Sequence, residues 1–422
     1  MTQVPVEMLK TGMTTASDVQ NRRGQVLVPE GISITERHLR GMKIWGIEYV
    51  DILSDDLDIE LLSHALPAPI EPDATELSTF LEKLFRYNGE TRDHPFMTEL
   101  YAHCEDTYKR RGIPESQNRM ISESDASASG SPQARREQLS TAALLKSSKN
   151  LASPPNIYQR LMTVMGQTGS SSSRIAAVIE NDPGLTARLL QIVNSAFYSF
   201  PSPIETISRA ITIVGTDELR NMVLVTSVIK RFSKGLERII DMEAFWKHSI
   251  CCALFSKQIA TMRNDPNAER FFTSGLLHDI GKLIMYLQMP DEMATLLRDD
   301  SNERDPYRTE RIQFGFTHAQ VGKELTENWR LSPRQSESIQ FHHTPRGAKR
   351  FPLDTAILHV ADVLSHAMQI GSSGGMGIPQ FNPDAWEQLR FSEGMISRMT
   401  QDVEREVSEL IRIFYVKDHD KA

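Results

Sequence analysis

The sequence predicts a mainly α protein whose helical body follows a small β-containing module. Three observations carry this. From about residue 140 onward, apolar residues recur at three- and four-residue spacing nearly to the end of the chain, the period of a helix face. The first 53 residues instead hold short β-prone runs broken by glycine. Between two helical stretches lies "ESQNRMISESDASASGSPQARREQLS", rich in Ser, Gln and Glu and nearly free of large apolar residues. Such a segment buries too little to offset its own ordering entropy.

In the module at 1–53, Gln25–Val28 and Glu48–Ile52 read as strands, with Gly12, Gly24, Gly31 and Gly46 as punctuation. Thr35 can cap a short helix, Glu36 to Trp45, that Gly46 ends. A helical segment fills 54–113. Its residues 74–112 read as two helices, the first with Leu77, Phe80, Leu81 and Leu84 on one face. The linker occupies 114–139, and the domain boundary is placed there. The main helical domain is expected over 140–370. Within it, "NDPGLTARLLQIVNSAFY" puts Asp182 at the N-cap and Pro183 in the first turn. The stripe Leu185, Leu189, Ile192, Val193 and Ala196 follows. Two helices flank Gly215, the second capped by Thr216 with Asp217 and Glu218 against its dipole. A DNA-binding helix-turn-helix has this outline. However, the second helix offers only Arg220 before an apolar run, so that reading is set aside. Further helices are expected at roughly 241–262, 270–287, 318–328, 333–343 and 352–369. After "GSSGGMG" at 371–377, a C-terminal helical extension covers 371–422. Its helical pattern runs through Tyr415 and shows Ile396, Met399, Val403 and Val407 at helical spacing.

Composition excludes several classes. With 422 residues the chain has room for two or three domains. Its net charge is −8, which argues against nucleic acid as the main partner, because that needs a concentrated basic face. No apolar run reaches the roughly 18 to 20 residues of a membrane span. The N-terminus lacks the basic and apolar regions of a signal peptide. The cysteines Cys104, Cys251 and Cys252 show no CxxC spacing. They read as small buried residues of a protein in the reducing cytoplasm.

The chemistry concentrates late in the chain. Seven of the twelve histidines fall between 248 and 366. His278-Asp279 sits in "SGLLHDIGKLI", where adjacent residues of one helix point about 100° apart. Both can face one ion only if the helix starts, kinks or is approached from the side there, and Gly281 permits that closeness. Lys282 lies one turn on, placed for a phosphate oxygen or a carboxylate. His248 in "FWKHSICCALF" and Asp362 in "AILHVADVLSHAM" are polar groups inside apolar helices. A lone buried carboxylate is costly unless paired or coordinated. Imidazole and carboxylate together are the ligands of divalent transition metals.

The order H…HD…D, here His248, His278-Asp279 and Asp362, resembles the motif of the HD superfamily of metal-dependent phosphohydrolases. The segment at about 143–350 resembles an HDOD domain, a bacterial signalling relative of the HD-GYP domain. The residues "VIENDPGLTARLLQIVNSAFYSFPSPIETISRAITIVG" and "GLLHDIGKLI" carry this likeness. The string "LKTGMTTASDVQNRRGQVLVPEGISITERHLRGMKIWGIEYVDI" is similar to the module found ahead of bacterial HD-type signalling domains. The resemblance implies an all-α HD/HDOD bundle and a signalling role through a nucleotide ligand or a protein partner. Many such domains have lost metal ligands, whereas this chain keeps the four HD positions. It adds His318 and His342-His343 where HD-GYP enzymes place the histidines of a second metal.

The likeness therefore implies one or two ions, Fe, Mn, Zn or Ni. His248, His278 and Asp362 would hold one, and His318, His342 and His343 the other. Asp279 would bridge them, and an activated water would attack phosphorus. Lys282 would steady the phosphoryl charge, and Arg346, Lys349 and Arg350 would hold a distal phosphate. The alternative activity is a phosphodiesterase acting on a nucleotide such as cyclic di-GMP. Against it, the GYP motif is missing: after His343 the chain reads "TPRGAKRFPLD". Ala244 stands where a third-metal acid would lie, so two ions are the expected maximum. His359 and His366 share a face with Asp362 and are expected to support or pack rather than ligate.

Overall fold

The structure, a computed structural model, describes residues 2–6, 9–20, 26–44, 47, 49–53, 72–114, 140–195, 198, 200, 202–232, 236, 239–298, 305–392, 394–401 and 403–414. Nearly all of the linker expected at 114–139 lies outside the described residues, as do 54–71, Trp45, Gly46, Ala196 and Tyr415. The chain divides into two units, Met1–Glu71 and Pro72–Ala422.

In the first unit, β1 (Thr2–Pro5) pairs antiparallel with β4 (Tyr49–Ile52), Thr2 facing Ile52. Strand β2 (Val19–Gln20) pairs antiparallel with β3 (Val26–Val28). Helix α1 (Glu36–Ile44) begins where Thr35 Oγ1 accepts the His38 amide at 3.3 Å. Val6, Leu9, Val28, Ile34, Met42 and Ile52 are among its buried core. Strand β1 was absent from the sequence reading because Gln3 and Pro5 mask its period.

The second unit is built of helices. The first two are α2 (Ala74–Leu84) and α3 (Pro95–Arg111). Then come α4 (Thr141–Ser147), α5 (Lys149–Ala152), α6 (Asn156–Met165), α7 (Ser172–Glu180) and α8 (Pro183–Val193). Helices α9 (Ile207–Val214) and α10 (Thr216–Arg231) meet at Gly215. The centre comprises α11 (Met242–Met262), α12 (Glu269–Leu277), α13 (Ile280–Gln288), α14 (Pro290–Arg298), α15 (Pro306–Phe314), α16 (His318–Asn328), α17 (Pro333–Phe341) and α18 (Pro352–Met368). Helices α19 (Pro383–Leu389), α20 (Met395–Thr400) and α21 (Val403–Phe414) follow. No helix among the described residues is long and apolar enough to cross a membrane.

Two differences from the sequence reading have physical causes. The division between the two units falls at Glu71, and the linker expected at 114–139 lies within the second. Helices α2 and α3 bury Leu81, Leu84, Phe96 and Leu100 in the same core as α11 and α18, and Tyr108 Oη donates to the Ala367 carbonyl at 2.6 Å. A polar segment shows that its own residues add nothing to a core; it does not separate the cores of its flanks. The helix expected over 270–287 is broken, since α12 stops at Leu277 and α13 starts at Ile280. Both halves are buried on nearly every face, so the apolar pattern runs on through the turn.

That turn requires a glycine. A Cβ on Gly281 would lie 2.0 Å from the His318 carbonyl oxygen and 2.7 Å from the Gly322 amide. Helices α13 and α16 therefore touch backbone to backbone at this point. Gly281→Ala should destabilise the protein by at least about 3 kcal/mol, the upper range of overpacking, because backbone cannot swing aside. A denaturant titration reads this.

A buried acid sits on α10. Glu218 accepts the Tyr198 hydroxyl at 2.7 Å. Burial first, then repulsion from Glu269, pushes its carboxyl up to about 7. A folded-state value above the unfolded one means that stability falls as pH rises from about 4.5 to about 7, then levels. Glu218→Gln keeps an acceptor for Tyr198 without the charge. It should stabilise the protein at pH 8 by an amount on the order of 3 kcal/mol and be near neutral at pH 4.5, as read from melts at the two pH values.

Candidate metal centre

Seven side chains singled out in the sequence meet in the second unit. His248 projects from the middle of α11, and His278 and Asp279 from the turn between α12 and α13. His318 is the first residue of α16, and Asp362 lies within α18. Helix α17 ends at Phe341, which frees His342 and His343 to turn inward together. His248, His278, Asp279, His318, His342 and Asp362 are all at most 1% exposed.

Asp279 stands between two groups of imidazoles. Its Oδ2 lies 3.3 Å from His278 Nε2 and 3.8 Å from His248 Nε2. Its Oδ1 lies 3.1 Å from His318 Nε2 and 3.8 Å from His342 Nε2. His343 Nε2 is 3.2 Å from His318 Nε2. On the other side, Asp362 Oδ1 is 3.5 Å from His248 Nε2 and 3.3 Å from His278 Nε2. Asp279, His318, His342 and His343 form one set able to hold an ion, and His248, His278 and Asp279 another.

The residues present suit a cation. Asp279 Oδ1, Asp362 Oδ1 and His342 Nε2 are buried without a hydrogen-bond partner. Orphaned acceptors of this kind cost stability unless something positive satisfies them. Three buried carboxylates, Asp279, Asp362 and Glu310, face one buried ammonium, Lys282. With neutral imidazoles the cluster carries two unbalanced negative charges, which a divalent ion would neutralise.

The outer hydrogen bonds aim the rings. His278 Nδ1–H donates to the Gly275 carbonyl at 2.6 Å, and His342 Nδ1–H to the Ile339 carbonyl at 2.7 Å. His318 Nδ1–H donates to Glu310 at 2.7 Å, and the His318 amide donates to the same carboxylate at 2.7 Å. Each bond places a proton on Nδ1, so that the neutral ring turns a bare Nε2 toward the centre, as the outer hydrogen bonds of metal-ligating histidines do. His359 has both nitrogens engaged: Nδ1–H donates to the His342 carbonyl at 2.7 Å, and Nε2 accepts the Asn382 amide at 3.0 Å. It supports the turn that carries His342.

Charge reinforces this picture. Burial alone would raise Asp279, but His278 and Lys282 hold it well below the usual carboxylate range. Asp362 is likewise held well below, with His366 and His248 outweighing burial. Burial and then His278 push His342 down to about 3. For His278 burial is outweighed by Asp279, and the ring stands well above its usual value. Positive charge is thus drawn to the Asp279–Asp362 centre.

The three residues expected at a distal phosphate are not brought to the cluster. Arg346 is exposed and paired with Asp384. Lys349 Nζ donates to the Arg346 carbonyl at 3.2 Å, and the Arg350 guanidinium lies 5.2 Å from the Phe351 ring centroid. This short basic loop spends its charge on its own surroundings. Sequence reasoning missed Glu310, Cys252 and Ser373. Glu310 lies in the polar string "YRTERIQF", where an acid does not stand out. Cys252 falls one turn after His248, in a set with His278 and Asp362, and that i, i+4 spacing was a usable signal.

His248, the His278-Asp279 doublet and Asp362 of a later helix thus meet within one helical bundle. Residues 151–345 match the family model of the HDOD domain, and this part of the chain is an HDOD domain. The match ends before α18, so Asp362 lies outside it. An uncharacterized protein of Treponema pallidum (strain Nichols) is 22% identical over 373 residues, spanning 78% of this chain and 71% of that protein. The crystal structure of an HDOD domain protein of unknown function from Geobacter sulfurreducens is similar in fold. Its TM-score is 0.53 at 23% identity, covering 63% of this chain and 93% of that one.

Loss of an outer carboxylate typically costs about 10–100-fold in metal affinity. Glu310→Gln should show a loss of that size in chelator competition while the fold, read by circular dichroism, is unchanged.

Proposed function

We propose that this is a signalling protein whose HDOD domain holds one or two divalent metal ions and acts by binding a ligand or partner. His248, His278 and Asp362 would hold one ion, His318, His342 and His343 the other, with Asp279 common to both. Fe, Mn, Zn and Ni all accept such ligands. A divalent cation there supplies Lewis-acid charge and locks five helices around one point. A nucleotide or another signalling protein would sense that state.

One observation favours binding over turnover. Lys282, the group expected to meet a phosphate, is only 6% exposed. Its ammonium donates to Asp279 Oδ2 at 2.7 Å and to Ser373 Oγ at 3.0 Å. Ser373 belongs to the Gly-rich strap at 371–377, and the Tyr286 hydroxyl donates to its carbonyl at 2.8 Å. A phosphate oxygen would have to displace that serine. The absent GYP motif points the same way. The second reading, a metal-dependent phosphodiesterase acting on a nucleotide such as cyclic di-GMP, is favoured by the convergence of all seven side chains. It requires the strap to lift.

Elemental analysis of protein purified without chelator should find at least about one equivalent of transition metal, and less would overturn both readings. With metal present, hydrolysis of a bis-aryl phosphodiester and of cyclic dinucleotides should stay at background and be unchanged by Asp279→Ala. Turnover abolished by that substitution would establish the second reading.

A further inference from the structure

The ligand set taken over from the HD motif leaves one imidazole of the cluster unassigned. His366 lies one turn after Asp362 on α18 and is 7% exposed. Its Nε2 is 3.5 Å from Asp362 Oδ1, and its ring meets that of His248 at 4.5 Å between centroids, at 63°. His248, Asp362 and His366 together form a set able to hold an ion.

The geometry around Asp362 Oδ1 is the telling feature. Three Nε2 atoms surround this single oxygen: His248 at 3.5 Å, His278 at 3.3 Å and His366 at 3.5 Å. His248 Nε2 and His278 Nε2 are 3.3 Å apart. These separations exceed the N–H···O range of roughly 2.7–3.2 Å, and the oxygen has no hydrogen-bond partner. They do match the ligand-to-ligand edge of a tetrahedral site, about 3.3–3.4 Å when each bond is about 2.0–2.1 Å. The two nitrogens at 3.3 Å fit one shared proton or a shared cation, but a proton between them leaves Asp362 Oδ1 unsatisfied, and a cation held by all of them does not.

His366 also contrasts with its neighbour His359. Both share the face of α18 with Asp362, but His359 spends both nitrogens on backbone groups, while His366 Nε2 points at the carboxylate. On the facing helix α11, Ala244, one turn before His248, brings no ligand; its carbonyl accepts the Ser372 amide at 3.0 Å. The extra donor on this side of the cluster thus comes from α18.

We infer that His366 is a direct ligand of the ion held by His248, His278 and Asp362, giving that site three imidazoles and a carboxylate. The inference rests on the metal-binding reading above and adds a residue that the HD motif does not contain. A site so rich in nitrogen favours Zn, Ni or Fe over Mg or Ca, which prefer oxygen.

Cobalt(II) reconstitution of the metal-depleted full-length chain tests this, with His366→Gln, which keeps the volume, and His366→Glu, which restores a ligand. A direct ligand predicts that His366→Gln weakens binding of one cobalt equivalent by more than about 100-fold, beyond the range of outer-shell changes. It also predicts altered visible ligand-field bands, and recovery of most of the affinity in His366→Glu with bands of its own. A smaller loss with wild-type bands, or no recovery with Glu, would overturn the assignment while leaving the metal reading intact. Wild-type protein that takes up no cobalt would overturn both.

Discussion

The structure is organised around two negative charges placed where a helical bundle would ordinarily put hydrocarbon. Asp279 and Asp362 are each 1% exposed, and isolated carboxylates in such surroundings are costly. The rest of the unit can be read as the response. Imidazoles arrive from α11, the α12–α13 turn, α16 and the end of α17; the outer nitrogens of His278 and His342 are bonded to carbonyls and that of His318 to Glu310, so that their inner ones face the carboxylates. Lys282 supplies the one fixed positive charge. The break between α12 and α13 follows from the same demand, since a continuous helix would turn His278 and Asp279 to different faces. The glycine contact at Gly281 then brings His318 within reach of Asp279.

The strap adds a second constraint, and it is held from an unexpected quarter. Asn88, between α2 and α3, is buried; its amide donates to the Ile378 and Pro379 carbonyls at 3.0 and 3.2 Å, and its carbonyl accepts the Phe381 amide at 2.7 Å. The Ile378 amide donates to the Leu84 carbonyl at 2.8 Å. Helices that looked like a separate segment in the sequence thus fix the loop whose serine binds Lys282. The glycines of "GSSGGMG" serve this closeness: a Cβ on Gly371 would lie 2.3 Å from the Ala244 carbonyl oxygen, and one on Gly374 2.3 Å from the Tyr286 hydroxyl.

What the sequence revealed and what it hid follow from the same physics. Capped, one-sided helices were legible: Asp182 Oδ1 accepts the Leu185 amide at 3.0 Å, as its place before Pro183 suggested. The seven cluster residues were legible because His and Asp are conspicuous inside apolar helices. The helix break at 278–279 was one of the options the His-Asp doublet left open, and the apolar pattern could not choose among them, because helices buried all round have no polar face whose phase could slip. Glu310 was hidden for the opposite reason, as one acid among charged neighbours on α15. Ser373 was hidden because only tertiary closeness gives its hydroxyl a role. Arg346, Lys349 and Arg350 were conspicuous as a basic run after a histidine pair; in the structure Arg346 pairs with Asp384 and Lys349 donates to the Arg346 carbonyl.

These features bear on how seven clustered imidazole and carboxylate residues coexist with a covered Lys282. A catalytic phosphodiesterase needs a cation-binding centre and an open approach for an anionic substrate, and the two impose separate demands on the chain. The first is met by residues that also hold the core together. Removing Asp279 or Asp362 would leave several helices with unpaired imidazoles, so the ligand set is tied to stability as well as to any chemistry. The approach is not tied to stability in this way. A loop that covers Lys282 costs the core nothing and adds hydrogen bonds to Ser373. A chain that gave up turnover could therefore retain its metal ligands for structural reasons while its entrance closed, and the site would survive as a structural element whose occupancy sets the relative positions of α11, α13, α16, α17 and α18.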